Sequence, residues 1–284
     1  MKYDHSTTPE IYYQEAQPSP VLSAVVKCYG IIEYNLNQDL HFIEDFLPFG
    51  VPYLNVTYRG WQSFDQPPFR NREYSDDHIA GQLLNPFNLN HNGNFGIFGI
   101  FFQPTGLFYL LRHKMSVFTQ NAFKIEHIFG GEGILFINRI KEAETFEQKI
   151  AVAEEFLQRK LQNQKISKDL VDQAIFLIRQ NSSIQIDKLS KNFSISGRHL
   201  RRKFEEKIGI GPKSYLRILR FHQVLRLSRQ LPNHNWQDLA FGCGYYDQSH
   251  FINDFKKFTG RTPYEYFIKN NRCIEAGGIT VDDL

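Results

Sequence analysis

The chain has 284 residues, 42% hydrophobic and 22% charged, with a formal net charge of +3. That length predicts two domains, and the composition excludes bulk disorder. No apolar run approaches the ~18 residues a membrane-spanning helix needs. Residues 1–20 are polar and acidic with no apolar h-region, so no secretory signal is expected. The cysteines, Cys28, Cys243 and Cys273, are too sparse for a disulfide scaffold and point to a reducing, cytoplasmic setting.

Charge divides along the chain: residues 1–164 carry −5, residues 165–272 carry +11, and the tail 273–284 carries −3. A basic domain beside an acidic one is the footprint of a polyanion binder with a separate partner domain; a merely solvated basic surface has the same charge. In chain order, residues 1 to about 140 read as mainly β. Val51–Tyr58, Gly96–Phe102 and Gly133–Ile137 are short, branched or aromatic runs bounded by Gly, Pro or Asn. Phe95–Phe102 is apolar at both alternating positions, so that strand must be covered on both faces. Phe102-Gln103-Pro104-Thr105-Gly106 stops it, and Leu107–Arg112 predicts a short helix. From Thr145 the period changes. Phe146, Ile150, Ala153, Phe156, Leu157 and Leu161 form the stripe of an amphipathic helix, which packs either on its own domain or on a second copy. Gln162–Lys168 reads as a polar linker. Leu170–Arg179 and Pro212–Leu231 read as helices, the second stopped by Pro232.

One pattern then occurs twice. Leu189, Ser190, Phe193, Ser196, Leu200, Phe204 and Gly209 are answered by Leu239, Ala240, Gly244, Asp247, Phe251, Phe255 and Gly260. Ser196 and Asp247 suit N-caps, and Gly209 and Gly260 suit left-handed helix stops. Each copy therefore predicts a short helix, a tight turn and a capped second helix, which is a helix-turn-helix. Beside the first apolar stripe stand Arg198, Arg201, Arg202 and Lys203, able to fork onto guanine or neutralise phosphate. Beside the second stand Gln248, Ser249, His250 and Asn253, whose polar groups suit base edges. Two such units on one chain suit successive major grooves, roughly 34 Å apart on one DNA face.

Here the sequence resembles a known family. Asp238-Leu239-Ala240, Gly244-Tyr245, Asp247-Gln248-Ser249-His250-Phe251, Phe255-Lys256-Lys257, Gly260 and Thr262-Pro263 resemble the DNA-binding domain of the AraC/XylS transcription regulators, over about residues 167–267. The resemblance implies seven helices, two helix-turn-helix units and binding to promoter DNA. Its base-reading positions fall on Arg198, Arg201, Arg202, Gln248, Ser249, His250 and Asn253. Val224, Phe267 and Ser190 depart from the family pattern, away from the base-reading positions. The first 164 residues resemble, more distantly, an N-terminal module of some family members that senses or dimerises; a cupin-like β-sandwich is the expected fold.

Other motifs carry less. Asp247, Ser249 and His250 do not face each other on a helix and make no hydrolytic triad. Gly130-Gly131-Glu132-Gly133 lacks the Lys-Ser/Thr of a phosphate loop and reads as a turn before a strand at Ile134. His5, His41, His78, His91, His113 and His127 include no His-x-His pair, so no metal is expected. Phe95, Phe98, Phe101, Phe102, Phe108 and Tyr109 read as core. Arg112, His113 and Tyr58 are the candidate polar groups of any ligand cavity.

The sequence thus predicts an α+β chain of two domains. Residues 1–164 form a mainly β sensor or dimerisation domain with an amphipathic helix. Residues 165–272 form an all-α double helix-turn-helix domain, followed by the acidic tail 273–284. The expected function is sequence-specific regulation at promoter DNA, with no catalytic residues and no cofactor. The expected partners are double-stranded DNA, RNA polymerase, a small-molecule effector and a second copy of the chain, with no membrane. The alternative is a metal-dependent cupin-type enzyme domain carried on a DNA-binding domain.

Overall fold

The computed structural model describes residues 10–35, 41–64, 69, 76–230 and 236–269. Among the described residues seven strands build one antiparallel sheet: β1 (Glu10–Ala16), β2 (Val26–Asn35), β3 (His41–Phe46), β4 (Tyr53–Phe64), β5 (His78–Ala80), β6 (Phe87–Phe102) and β7 (Ala122–Lys124). Their order is β1-β2-β6-β4-β5-β7, with β3 also paired to β6. The long β6 is the hub. Phe98 stands opposite Ile31 of β2 on one edge and Val56 of β4 on the other, while Phe87 stands opposite Phe46 of β3.

The two-faced apolar run in β6 is explained by what lies on each side. Phe98, Ile100 and Phe102 join Leu54, Val56, Tyr29 and the helices in one cluster, whereas Phe101, Phe95 and Ile97 belong to separate clusters. Successive strand residues point to opposite faces, so a run apolar at every position serves two cores.

The helices on the first face are α1 (Gly106–Leu111), α2 (Ile125–Phe129), α3 (Gly131–Glu142) and α4 (Phe146–Leu161). The strand expected at Gly133–Ile137 is the helix α3 instead. Gly130, at φ +60°, closes α2 and opens α3, and Phe136, Ile137 and Ile140 are buried at helical spacing. Five apolar-rich residues do not separate the two periods; the twelve of α3 do. A capping box of Thr145 and Gln148 starts α4, as its boundary in sequence suggested. The α4 stripe packs within its own domain, with Phe156 stacked on Phe136 at 4.5 Å between ring centroids. Within the chain that stripe is occupied.

Beyond it come α5 (Leu170–Gln180), α6 (Ile186–Asn192), α7 (Gly197–Lys207), α8 (Pro212–Gln230), α9 (Trp236–Gly242), α10 (Gln248–Thr259) and α11 (Pro263–Lys269). These seven helices enclose a second core that includes Ile178, Leu200, Phe204, Phe221, Phe251 and Phe255. The three departures from the family pattern fit it. Val224 is fully buried there, Phe267 packs on Phe255 and Tyr266, and Ser190 returns its hydroxyl to the Asp187 carbonyl.

The expected linker is tied down. Arg112 donates to the Gln164 side chain (3.0 Å) and the Lys165 carbonyl (2.6 Å), and Gln164 donates to the Leu110 carbonyl (3.2 Å). The acidic tail and residues 231–235 lie outside the described residues.

Candidate nucleic-acid interface

α7 and α10 are the second helices of the two repeats. Ser196 Oγ accepts from the His199 amide at 3.2 Å, and Asp247 Oδ1 accepts from the His250 amide at 2.7 Å. Both caps satisfy first-turn donors that would otherwise be orphaned. On α7, Leu200 and Phe204 turn inward and Arg198, Arg201 and Arg202 turn to solvent. Arg201 reaches Glu205 at 2.7 Å, and half-buried Lys203 reaches Glu206 at 3.4 Å. On α10, Phe251, Phe255 and Phe258 turn inward and Gln248, Ser249 and Asn253 turn outward. His250 is half-buried, edge-on to the Tyr245 ring and 3.7 Å from Asp254. Tyr246, in the turn before α10, is 87% exposed.

The two helices are held by different means. Asp254 is 2% exposed, and Arg217 of α8 clamps it, with Nε 2.9 Å from each carboxylate oxygen and Nη2 on Oδ1. The hydrogen bond to Asp254 raises the pKa of the Arg217 guanidinium despite its partial burial. α7 is held jointly by the β-domain and the start of α5. Lys207 at its C-terminus donates to the Tyr109 hydroxyl of α1 (3.0 Å) and to Asp172 of α5 (3.3 Å), and also pairs with Asp169 (3.0 Å). Asp172 in turn accepts from Thr105 and Tyr109, each at 2.7 Å. Burial works against the charge on both groups. The bonds from Thr105, the Asp169 amide, Tyr109 and Lys207 outweigh it at Asp172, whose pKa is held below the usual range. The bonds to Tyr109 and Asp169 and the charge of Asp172 outweigh it at Lys207, whose pKa is held above. Gly209 then passes under the β-domain at φ +89°, its carbonyl accepting from Thr119 Oγ1 at 2.6 Å; a Cβ there would stand 2.8 Å from the Met115 carbonyl. Gly209 is thus both a left-handed stop and a point of close approach.

Neither Lys207 nor Asp254 was singled out from sequence, yet each had a signal: a charge on the apolar stripe of an amphipathic helix. The polar groups expected around a ligand cavity are engaged elsewhere. Tyr58 donates to Glu33 at 2.6 Å, Arg112 holds the linker, and His113 is exposed. Among the described residues no group of three or more His, Cys, Asp or Glu is placed to hold a metal ion, and no helix is long and apolar enough to cross a membrane.

Residues 189–268 match a family described as a helix-turn-helix domain, and residues 14–124 match a domain of unknown function, DUF6597. The chain is 34% identical over 71 residues to the HTH-type transcriptional activator RhaS of Escherichia coli O1:K1 / APEC, which is 25% of each chain. RhaS of Escherichia coli O139:H28 (strain E24377A / ETEC) is 32% identical over the same length and the same shares. The match therefore spans about a quarter of these curated relatives. Among solved structures, ToxT from Vibrio cholerae has a TM-score of 0.48 at 12% identity, covering 84% of this chain and 98% of that one. The AraC-like transcriptional activator CuxR has a TM-score of 0.29 at 12% identity, covering 72% and 83%.

Proposed function

We propose that the C-terminal helices form a double helix-turn-helix domain of the AraC/XylS type and that the chain is a sequence-specific DNA-binding transcription regulator. The observation that carries the proposal is the pair of separately capped helices with unlike outward faces. Arg198, Arg201 and Arg202 stand on one, and Gln248, Ser249 and Asn253 on the other. Arginine forks match the two acceptors of guanine, and side-chain amides match adenine. Lys203 and His250, at the flanks, are assigned to phosphate and to a base edge. A recognition helix reads bases with its N-terminal residues, which is where these side chains sit.

In this reading residues 165–272 form the promoter-binding domain, followed by the acidic tail 273–284. Residues 1–164 receive a small-molecule signal. RNA polymerase and a second copy of the chain are further partners, the copy through a surface other than the α4 stripe. The chain works in the cytoplasm, and no catalytic step belongs to it. No observation favours the metal-enzyme alternative.

The test is selection of bound fragments from a random DNA library at about 150 mM salt, where non-specific binding is weak. The expected product is a motif with two contact blocks roughly 10 bp apart. Failure to enrich any motif, with the full chain and with residues 165–284 alone, would sink the reading.

A further inference from the structure

We propose that the β-domain holds a binding site for a small, neutral, planar molecule, and that one wall of this site carries its occupancy to α8. The proposal rests on the chain being a signal-responsive regulator and names the chemistry of the signal.

The site is a cavity on the sheet face opposite the helices. Its floor is a glycine pair, Gly30 of β2 opposite Gly99 of β6. A Cβ at Gly99 would stand 2.9 Å from the Phe101 ring and 3.1 Å from Asn55 Oδ1, so a side chain there would intrude on the cavity. The walls are aromatic: Phe46, Phe49, Tyr53, Phe69 and Phe101. Several of these rings meet edge to face, with Phe46 and Phe49 at 4.7 Å and Phe49 and Phe101 at 6.2 Å between centroids.

Two amides break this apolar lining. Asn55 is 8% exposed and Gln62 is 7% exposed, and both line the cavity. A buried amide opposes folding unless it is hydrogen-bonded. Two amides set among aromatic rings offer donors and acceptors to a molecule that enters.

The lining also says what enters. None of the described lining residues is an acid, a lysine or an arginine, so among them a carboxylate, phosphate or ammonium finds no counter-ion. Beyond the two amides, the polar groups on the lining are the His78 imidazole and the hydroxyls of Tyr13, Tyr34 and Tyr53, all carried on flat rings. The cavity of about 50 Å³ holds about four waters at ~10–15 Å³ each, which suits a single ring once the wall rings yield. Edge and face contacts with aromatic walls favour a flat π-system.

The wall that yields is joined to the other domain. Phe46 and Phe49 face the cavity, while the rest of residues 45–50 grips the helical domain. Asp45 pairs with Arg261 (2.9 Å), Leu47 is buried in the C-terminal core, and the Pro48 carbonyl accepts from His222 Nε2 of α8 (2.6 Å). A Cβ on Gly50 would stand 3.1 Å from Ile218 of α8. One six-residue strap thus lines the cavity with two rings and holds, with its backbone, the helix that joins the two DNA-reading units.

The experiment is calorimetric titration of the full chain with benzamide and indole as neutral flat rings and benzoate as the charged isostere of benzamide. DNA affinity is measured in parallel on the selected motif. We expect 1:1 binding of a neutral ring, at least tenfold tighter than benzoate, and at least a threefold change in DNA affinity when it is bound. Asn55→Leu and Gln62→Leu should each weaken benzamide at least tenfold. Gly99→Val, which keeps both amides and fills the floor, should abolish binding while the thermal transition shows a folded chain. Absence of binding by either neutral ring at millimolar concentration, or benzoate binding as tightly, overturns the site or its chemistry. Binding with unchanged DNA affinity overturns the strap. DNA selection with a silent cavity defeats this inference alone, whereas ring binding without DNA selection defeats the reading of the chain as a regulator.

Discussion

The two helix-turn-helix units share a sequence pattern and differ in what supports them. The second is braced from within its own domain: buried Asp254 on α10 is clamped by Arg217 on α8. The first is braced from both domains: Lys207 on α7 ends among Tyr109 of the β-domain and Asp169 and Asp172 at the start of α5, and Gly209 rests on Thr119. The second unit's reading face is therefore a property of the helical domain, and the first unit's is shared property of both domains. A shift in the β-domain has a direct lever on the arginine helix through Tyr109 and Thr119, and among the described residues it reaches the amide helix through α8 and through Arg261 in the turn after α10.

The sharpest way to break this comparison is to remove each brace in turn. Arg217→Ala leaves a carboxylate buried without its cation, and should cost about 3–5 kcal/mol in urea unfolding. A loss under about 1 kcal/mol would mean that the apolar stripe alone holds α10. Lys207→Met should cost less, about 1.5–3 kcal/mol, because Thr105 and Tyr109 still serve Asp172. Its distinguishing sign is selective, with the α7 subsite weakening in footprints while the α10 subsite holds.

Acidity sharpens the same contrast. The pKa of Asp172 is depressed in the folded chain, so its contribution is complete above the ordinary carboxylate value and fades as pH falls through the depressed one. The pKa of Lys207 is raised, so its contribution is complete below the ordinary lysine value and fades only as pH rises through the raised one. Docking of the first unit should therefore hold across neutral pH and loosen in acid. Lys207→Met should flatten that acid limb in unfolding curves measured from pH 7 downward. An unchanged limb would place the acid response elsewhere.

On DNA the expected effects are smaller and separable. Arg201→Ala and Gln248→Ala should each lose about 1–3 kcal/mol on the selected motif, each relaxing a different contact block. Equal losses on random DNA would reduce either residue to a phosphate contact. The smallest effects belong to the caps. Ser196→Ala and Asp247→Ala should each cost about 1 kcal/mol of stability, and similar losses would show that the units differ in bracing and not in their starts.

Much of this was legible in the residues because it is local. The caps at Ser196 and Asp247, the α4 stripe and the two-faced strand at Phe95–Phe102 are periodicities or end signals within a dozen residues. What escaped reading depends on distance. Gly133–Ile137 shows a strand's composition, and only its packing beside α4 makes it a helix. The polar stretch 162–168 looks like slack chain until Arg112, over fifty positions away, is seen to hold it. Asn55 and Gln62 sit in ordinary β sequence, and nothing local announces that both look into one aromatic cavity. A ligand site built across a sheet is a non-local object, whereas a recognition helix is a local one.

The connecting helix α8 has a consequence for the DNA as well as for the protein. Its 19 residues form a rod roughly 28 Å long at ~1.5 Å per residue, with Tyr215, Ile218 and Phe221 buried along it. A rod cannot rewind to follow a duplex. Inserting about 5 bp between the two subsites turns one of them to the far side of the double helix, since a turn takes roughly 10–10.5 bp. Promoters under such a protein are then constrained in phase as well as in letters: a copy with both subsites intact but half a turn out of step would escape control, and a genome search should weigh spacing before spelling.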